Sequence, residues 1–297
     1  MDAIKNKRIL ITGPARGIGA ETARQLAAQG ARLALVGLEP ELLQKLATEL
    51  GQDHFWFECD VTDYASLEKA VEKTVSTFGG LDVVICNAGI GPMGTVAVSS
   101  AAVLAKTIEV NLIGVINTVS AAMPAMIESR GYYLMVSSAS AILAMPGATA
   151  YSASKIAVEH FSDSLRVEVA HKGIGVGVAF PAWVDTDLIR DQHQDLETFE
   201  DLIRNLPGPF GGVTTVEECA AAFVKAIAYR KRKIFIPGIL GFASVIRQVF
   251  KSYLWESWAI MQGKPIIIKA EAEVRALGRY FGKNSVGTKL LERKKPQ

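Results

Sequence analysis

From residue 8 to about residue 237, short and almost uninterrupted apolar runs alternate with stretches of helical spacing. The runs are Arg8–Thr12, Arg32–Val36, His54–Glu58, Asp82–Cys86, Tyr132–Ser137, Gly175–Phe180 and Lys233–Ile236. Continuous apolarity, rather than period-two alternation, is what a strand needs when both of its faces are covered. Strands alternating with helices build a parallel sheet. The expectation is a doubly wound α/β fold of seven parallel strands with helices on both faces. Between the runs, Asp63 stands where an N-cap belongs, Leu67, Val71, Val75 and Phe78 follow at helical spacing, and Gly79-Gly80 closes the segment. Gly30 likewise closes the helix that begins near Ile18.

With 49% hydrophobic and 21% charged residues, the 297-residue chain has ample material for one large core and no composition of disorder. A net charge of +2 gives no general attraction to nucleic acid. The basic clusters Arg230-Lys231-Arg232-Lys233 and Arg293-Lys294-Lys295 read first as solvated surface. Cys59, Cys86 and Cys219 have neither disulfide nor zinc spacing, and His54, His160, His171 and His193 are scattered, so no metal is expected. The N-terminal residues carry no apolar signal region, and a cytoplasmic location is expected.

The chain divides at 239/240. Residues 1–239 hold the alternating pattern, and residues 240–297 form a helical extension. Residues 234–246 carry no charge but are interrupted by Pro237-Gly238 and are too short to span a bilayer. Beyond them Val249, Phe250, Tyr253, Leu254, Trp255 and Trp258 mix with Arg247, Lys251 and Glu256, which predicts one or two amphipathic helices. Packing on the core or on a second subunit is the first reading; a lid or a peripheral membrane contact is the other.

The first strand runs into Thr12-Gly13-Pro14-Ala15-Arg16-Gly17-Ile18-Gly19 and then a helix. Glycines allow a sharp turn and close backbone approach, and a helix N-terminus offers free N–H groups to a pyrophosphate. Directly after the first strand of a βα series, this is a dinucleotide loop.

The Gly-x3-Gly-x-Gly spacing preceded by Thr resembles the short-chain dehydrogenase/reductase family, and further motifs follow in order over residues 7 to about 237. The resemblance implies a Rossmann-type fold and a set of roles. Gly13, Arg16, Gly17, Ile18, Gly19 and Leu38 would border the dinucleotide. Asp60 with Val61 would meet the adenine, and Asn87-Ala88-Gly89 would lie beside its ribose. Pro181, Val184 and Thr186, in Pro181-Ala182-Trp183-Val184-Asp185-Thr186, would hold the nicotinamide carboxamide. Ala182 stands where the family usually has Gly. Asn111 would hold a structural water in the proton path, and Ser138, Tyr151 and Lys155 match the catalytic trio. Ser137 competes with Ser138, and the thirteen-residue spacing to Tyr151 favours Ser138. The activity implied is hydride transfer between a nicotinamide and an alcohol or carbonyl, as in an alcohol dehydrogenase or carbonyl reductase.

The chemistry is reasonable for these residues. A free phenol has a pKa of about 10, too high for efficient acid–base work near neutrality. Lys155, four residues after Tyr151, shares its helix face, and an ammonium there favours phenolate. An acid at the end of the second strand would select NAD(H), and a base NADP(H). Gly37 and Leu38 stand there instead, while Arg16 could meet a 2′-phosphate, so the sequence leans to NADP(H) over NAD(H). Gly91-Pro92-Met93, Ala139, Ile142, Met145 and Trp183 predict an apolar substrate pocket for a steroid, retinoid, terpenoid or long-chain aldehyde or ketone. Residues 187–215 are expected to form a mobile substrate loop.

For assembly, Val158, Phe161, Leu165 and Val169 form an apolar stripe expected to pack partly on a second copy, giving a homodimer or homotetramer. Two rival functions stand beside the oxidoreductase. An NAD-dependent epimerase or dehydratase usually has Gly-x2-Gly-x2-Gly. A non-catalytic dinucleotide-binding regulator often lacks the tyrosine or serine that this chain retains.

Overall fold

The computed structural model describes residues 3–92, 94–143, 145–204 and 211–283. Seven parallel strands form one sheet: β1 (Arg8–Thr12), β2 (Arg32–Gly37), β3 (Phe55–Glu58), β4 (Val83–Cys86), β5 (Tyr132–Val136), β6 (Gly175–Pro181) and, after two two-residue strands β7 (Trp183–Val184) and β8 (Val213–Thr214), β9 (Lys233–Ile236). Their spatial order is β3-β2-β1-β4-β5-β6-β9. The order reverses between β1 and β4, and a crevice opens there at the carboxyl ends of the strands. The fold is thus the expected doubly wound α/β sheet, with each predicted strand in place to within a residue or so.

Helices α1 (Gly17–Ala28), α2 (Pro40–Leu50), α3 (Tyr64–Phe78), α4 (Ala101–Ile108), α5 (Gly114–Ser129), α6 (Thr149–Val169), α7 (Asp187–Asp195), α8 (Thr198–Arg204) and α9 (Val216–Ala228) connect the strands, and α10 (Leu240–Val245) and α11 (Tyr253–Leu277) follow them. Two core clusters lie on opposite faces of the sheet. One joins Ile9, Ile11, Leu33 and Leu35 to Leu26 of α1 and Phe223 of α9. The other joins Leu10, Val84 and Tyr133 to α3, α5 and α6. Asp63 caps α3 by accepting from the Ser66 N–H at 3.2 Å, and Gly79 ends it in the left-handed region.

The stretch Ala101–Ser129 is helical throughout and apolar enough to cross a membrane. Val115, Val119, Ala122 and Met126 from it are buried in the second core cluster, which accounts for that apolarity. The stripe on α6 also serves the chain's own core. Val158, Leu165 and Val169 are buried there, and Phe161, packed against them, is the half-buried member of the stripe.

Of residues 187–215, expected as loop, Asp187–Asp195 and Thr198–Arg204 are helical, and 205–210 lie outside the described residues. Leu196, Phe199 and Ile203 pack with Val274 of α11. The extension differs from the expectation as well. α11 is a single helix of 25 residues whose apolar side chains fall on several sides, not one: Ile266 and Ile267 turn inward while Ile268 is exposed. The basic tail Arg293-Lys294-Lys295 lies outside the described residues.

Candidate active site

The dinucleotide loop is shaped by side chains the loop itself lacks. Gly13 has φ +65°, and a Cβ there would lie 2.8 Å from Ala88 Cα. A Cβ on Gly19 would lie 2.6 Å from Asn87 Nδ2 and 2.7 Å from the Gly13 oxygen. The space goes to backbone instead, and Asn87 fastens it by donating to the Thr12 and Gly13 carbonyls at 3.1 and 2.9 Å. Thr12 Oγ1 accepts in turn from the Asn87 and Ala88 N–H groups. The first turn of α1 is thereby held open toward the crevice, as an anion requires.

All the predicted cofactor residues border that crevice: Gly13, Arg16, Gly17, Ile18, Gly19, Leu38, Asp60, Val61, Asn87, Ala88, Gly89, Tyr151, Lys155, Pro181, Val184 and Thr186. Asp60 Oδ1 accepts from Thr62 N and Thr62 Oγ1 at 2.9 and 2.8 Å, which fixes its carboxylate at the rim. The Thr186 methyl is 3.2 Å from where a Gly17 Cβ would stand, so the segment after β6 closes over the loop. Ala182 is tolerated because Asn6, Arg130 and Arg230 are the only non-glycine residues at positive φ among those described. The glycine-lined cradle and the lysine at its inner end fit a nicotinamide dinucleotide.

Arg16 pairs with Glu39 and, at 3.5 Å, with Asp187. Glu39 flanks α2 but makes no cap hydrogen bond with its side chain; its carboxylate goes to Arg16 instead.

A second cavity opens beside the crevice, and Tyr151 borders both. The second cavity is lined by the three predicted substrate residues, Ser138, Met145 and Trp183, and by Gly91, Pro92 and Ala139. Ile142 is not among them; it is buried in a small core cluster with Phe180 and Leu240. Met93 lies outside the described residues. Leu188, Gln192 and Phe199, from the segment expected to meet substrate, and Ile266, Ile267 and Ala270, which sequence reasoning missed, complete the walls. The last three lie on α11, and no local pattern announces a contact made across 170 residues of chain. Two hydroxyl–carboxylate bonds seat α11 there. Thr95 donates to Glu271 Oε1 at 2.6 Å, and Thr198 to Glu273 Oε2 at 2.7 Å.

The neighbouring serines separate cleanly. Ser137, buried, donates to the Lys155 carbonyl at 2.7 Å and is committed to the core. Ser138 Oγ accepts from Ser140 N at 3.1 Å, so its proton remains available, and it hydrogen-bonds the Tyr151 phenol. Lys155 is 4% exposed, with Nζ 5.5 Å from the Tyr151 ring centroid and donating to the Val136 carbonyl at 2.9 Å. Burial pulls its pKa from 10.5 down to about 8. Burial pushes the Tyr151 phenol above its ordinary value, and the Ser138 hydrogen bond works in the opposite direction. Here the structure departs from the expectation that the lysine lowers the tyrosine. The ammonium is aimed at a carbonyl, and desolvation dominates both groups.

Asn111 does not face the crevice. It is fully buried in a π-helical turn, Glu109–Ile113, between α4 and α5. Its amide accepts from Ile90 N at 2.8 Å and donates to the Ile90 carbonyl at 2.9 Å and to Ser154 Oγ at 3.1 Å. Such one-turn bulges recur at functional sites because they re-aim a side chain within a helix. This one ties the end of β4 to α6 one turn from Tyr151. The three cysteines are free and buried, and burial pushes the Cys86 and Cys219 thiols up to about 12.

A glycine-cradled crevice at the reversal of a parallel sheet, joined to an apolar cavity through one tyrosine, defines a dinucleotide-dependent oxidoreductase. A family model described as short chain dehydrogenase matches residues 7–197. The chain belongs to the short-chain dehydrogenase/reductase family, whose cofactor is NAD(P). Dehydrogenase/reductase SDR family member 7B of Mus musculus is 34% identical over 193 residues, which span 62% of this chain but only 60% of that relative's length. The uncharacterized oxidoreductase Lin0452 of Listeria innocua serovar 6a is 33% identical over 70% of this chain and 86% of its own. A short chain dehydrogenase/reductase from Burkholderia phymatum, solved in complex with NAD, shares the fold with a TM-score of 0.71 and 24% identity. It covers 82% of this chain, which in turn covers 93% of it.

Proposed function

We propose that the chain is an alcohol dehydrogenase or carbonyl reductase for a lipophilic substrate such as a steroid, retinoid, terpenoid or long-chain aldehyde or ketone. The observation that carries the reading is Tyr151: its phenol stands where the dinucleotide crevice meets an apolar cavity, with Ser138 on its oxygen. A bound nicotinamide supplies or accepts the hydride and, when oxidised, adds a positive charge beside the phenol. In reduction Ser138 donates to the carbonyl oxygen and orients it. Tyr151 gives that oxygen its proton as the carbon gains the hydride, and an alcohol results. The phenolate left on Tyr151 is stabilised by the Ser138 hydroxyl and the Lys155 ammonium, then reprotonated from solvent. Asn111 acts through position, by holding Ile90 and Ser154 around this centre. Met145, Trp183 and the α11 isoleucines give the cavity little to offer a charged substrate.

Coenzyme preference turns on one ion pair. Arg16 at the crevice mouth supports NADP(H), since a guanidinium can exchange the Glu39 carboxylate for a 2′-phosphate. Glu39 in the same place is the feature on which NAD(H) would rest. We further assign the chain to the cytoplasm as a homodimer or homotetramer, with the 240–297 extension as an accessory unit.

The test is a carbonyl panel run with NADH and NADPH, with fluorescence titration of each and a Tyr151→Phe comparison. The variant is expected to lose turnover by about 10²- to 10⁴-fold while keeping coenzyme affinity. A chain that binds coenzyme and reduces nothing would be a regulator, and one that interconverts sugars without net redox change would be an epimerase.

A further inference from the structure

The outer side of the C-terminal extension is apolar and uncovered. Phe242 is 64% exposed, Val245 81%, Tyr253 80%, Leu254 81% and Met261 65%. Trp255 and Trp258 pack against each other beside them, their rings tilted and their centroids 5.0 Å apart. A helix that is apolar on several sides normally lies in a core or in lipid. The first half of α11 is outside the core; most of its residues are exposed from Tyr253 to Pro265.

Charge distinguishes the candidates for what covers it. Residues 240–297 hold eleven Lys and Arg against four Glu, whereas the whole chain holds 32 basic against 30 acidic residues. The 239 residues before the extension are therefore net acidic, and the cationic excess is confined to the extension. Along the exposed part of the extension Lys251 and Lys264 stand against Glu256, so two copies meeting through this face would bring like charge together. An anionic lipid surface meets it with the opposite charge, and aromatic and aliphatic side chains among lysines are the composition of a helix lying in a bilayer interface.

We propose that the exposed face of α10 and α11, centred on Val245, Leu254 and Met261, docks on an anionic membrane surface. The same helix lines the catalytic cavity with Ile266, Ile267 and Ala270. Docking therefore sets the cavity against the bilayer, so that a membrane-dissolved carbonyl compound is the substrate within reach. This link to the substrate rests on the lipophilic reading above; the docking stands on the surface alone.

The test is flotation of the full chain with vesicles of phosphatidylcholine, with and without about 30% phosphatidylserine, at low and high salt. It is paired with tryptophan emission and sedimentation velocity. The expected result is co-flotation with the anionic vesicles, a blue shift of emission, and at least tenfold weaker partition at high salt. Leu254→Asp combined with Met261→Asp should weaken partition at least tenfold with thermal unfolding and coenzyme titration unchanged, since both positions are exposed. Absence of flotation at low salt, or equal flotation of the double variant, overturns the proposal. So does an oligomer that the double variant dissolves while wild type ignores vesicles, which would identify a second copy as the cover. Flotation needs no turnover, so a failed carbonyl panel would leave this result readable.

Discussion

Lys155 is held where an ammonium is costly, and replacing it should stabilise the protein while removing its activity. The drop in pKa from 10.5 to about 8 corresponds to about 3 kcal/mol by which burial disfavours the charged form. The sign follows from proton binding. Below about pH 8 folded and unfolded chains both carry the proton, and the full cost falls on the folded state. Between about pH 8 and 10.5 the unfolded chain holds a proton that the folded one lacks, so wild-type stability rises with pH through that window. Lys155→Met removes the titration and keeps the volume. It also leaves the Val136 carbonyl without its 2.9 Å donor, a loss of about 1 kcal/mol. The variant should therefore be about 2 kcal/mol more stable than wild type near pH 7, with the advantage vanishing at about pH 10 and reversing above it. Urea unfolding of both proteins across that range reads the difference directly, and common titrations cancel. A difference that does not change with pH, or a variant less stable at pH 7, would show that the ammonium is solvated and would refute the reasoning. Turnover by the variant at wild-type rate would remove Lys155 from the proposed chemistry.

Two other substitutions probe the frame around the site. Asn111→Ala strips partners from both backbone groups of Ile90 and from Ser154, so it should cost about 2–4 kcal/mol in urea unfolding; a loss under about 1 kcal/mol would mean water or a shifted neighbour takes over. Gly19→Ala puts a methyl 2.7 Å from the Gly13 oxygen and 2.9 Å from Pro14 Cα, backbone that yields only by moving the loop. It should weaken coenzyme binding at least about tenfold, at a stability cost of about 1–3 kcal/mol; unchanged titration curves would contradict the cradle.

The sheet and the crevice could be read from residues because their signals are local. Runs such as Leu33–Val36 are apolar because both faces are covered, and the Gly13–Gly19 spacing is dictated by one turn. Tyr151 and Lys155 are one helical turn apart, so their proximity needed no tertiary information. Their proton affinities did, because desolvation depends on what closes over them. How the α6 stripe divides is hidden for the same reason: Val158 and Leu165, buried in their own core, look in sequence like the half-buried Phe161. Ile142 was drawn to the cavity by its neighbours in sequence, although its side chain turns into the core. The segment 187–204 reads as loop because its composition is polar, and its helices owe their order to Leu196, Phe199 and Ile203 meeting α11. That pairing is invisible until both partners are in view.

The cavity wall built by Ile266, Ile267 and Ala270, and latched at Thr95 and Thr198, has an evolutionary corollary. The family model's match ends at residue 197, short of every one of these wall residues except Thr95. The reacting groups and the α11 part of the wall thus lie on separate stretches of chain that substitution can change one at a time. A chimera carrying another member's tail would be expected to change which compounds enter while leaving the reaction they undergo as it was.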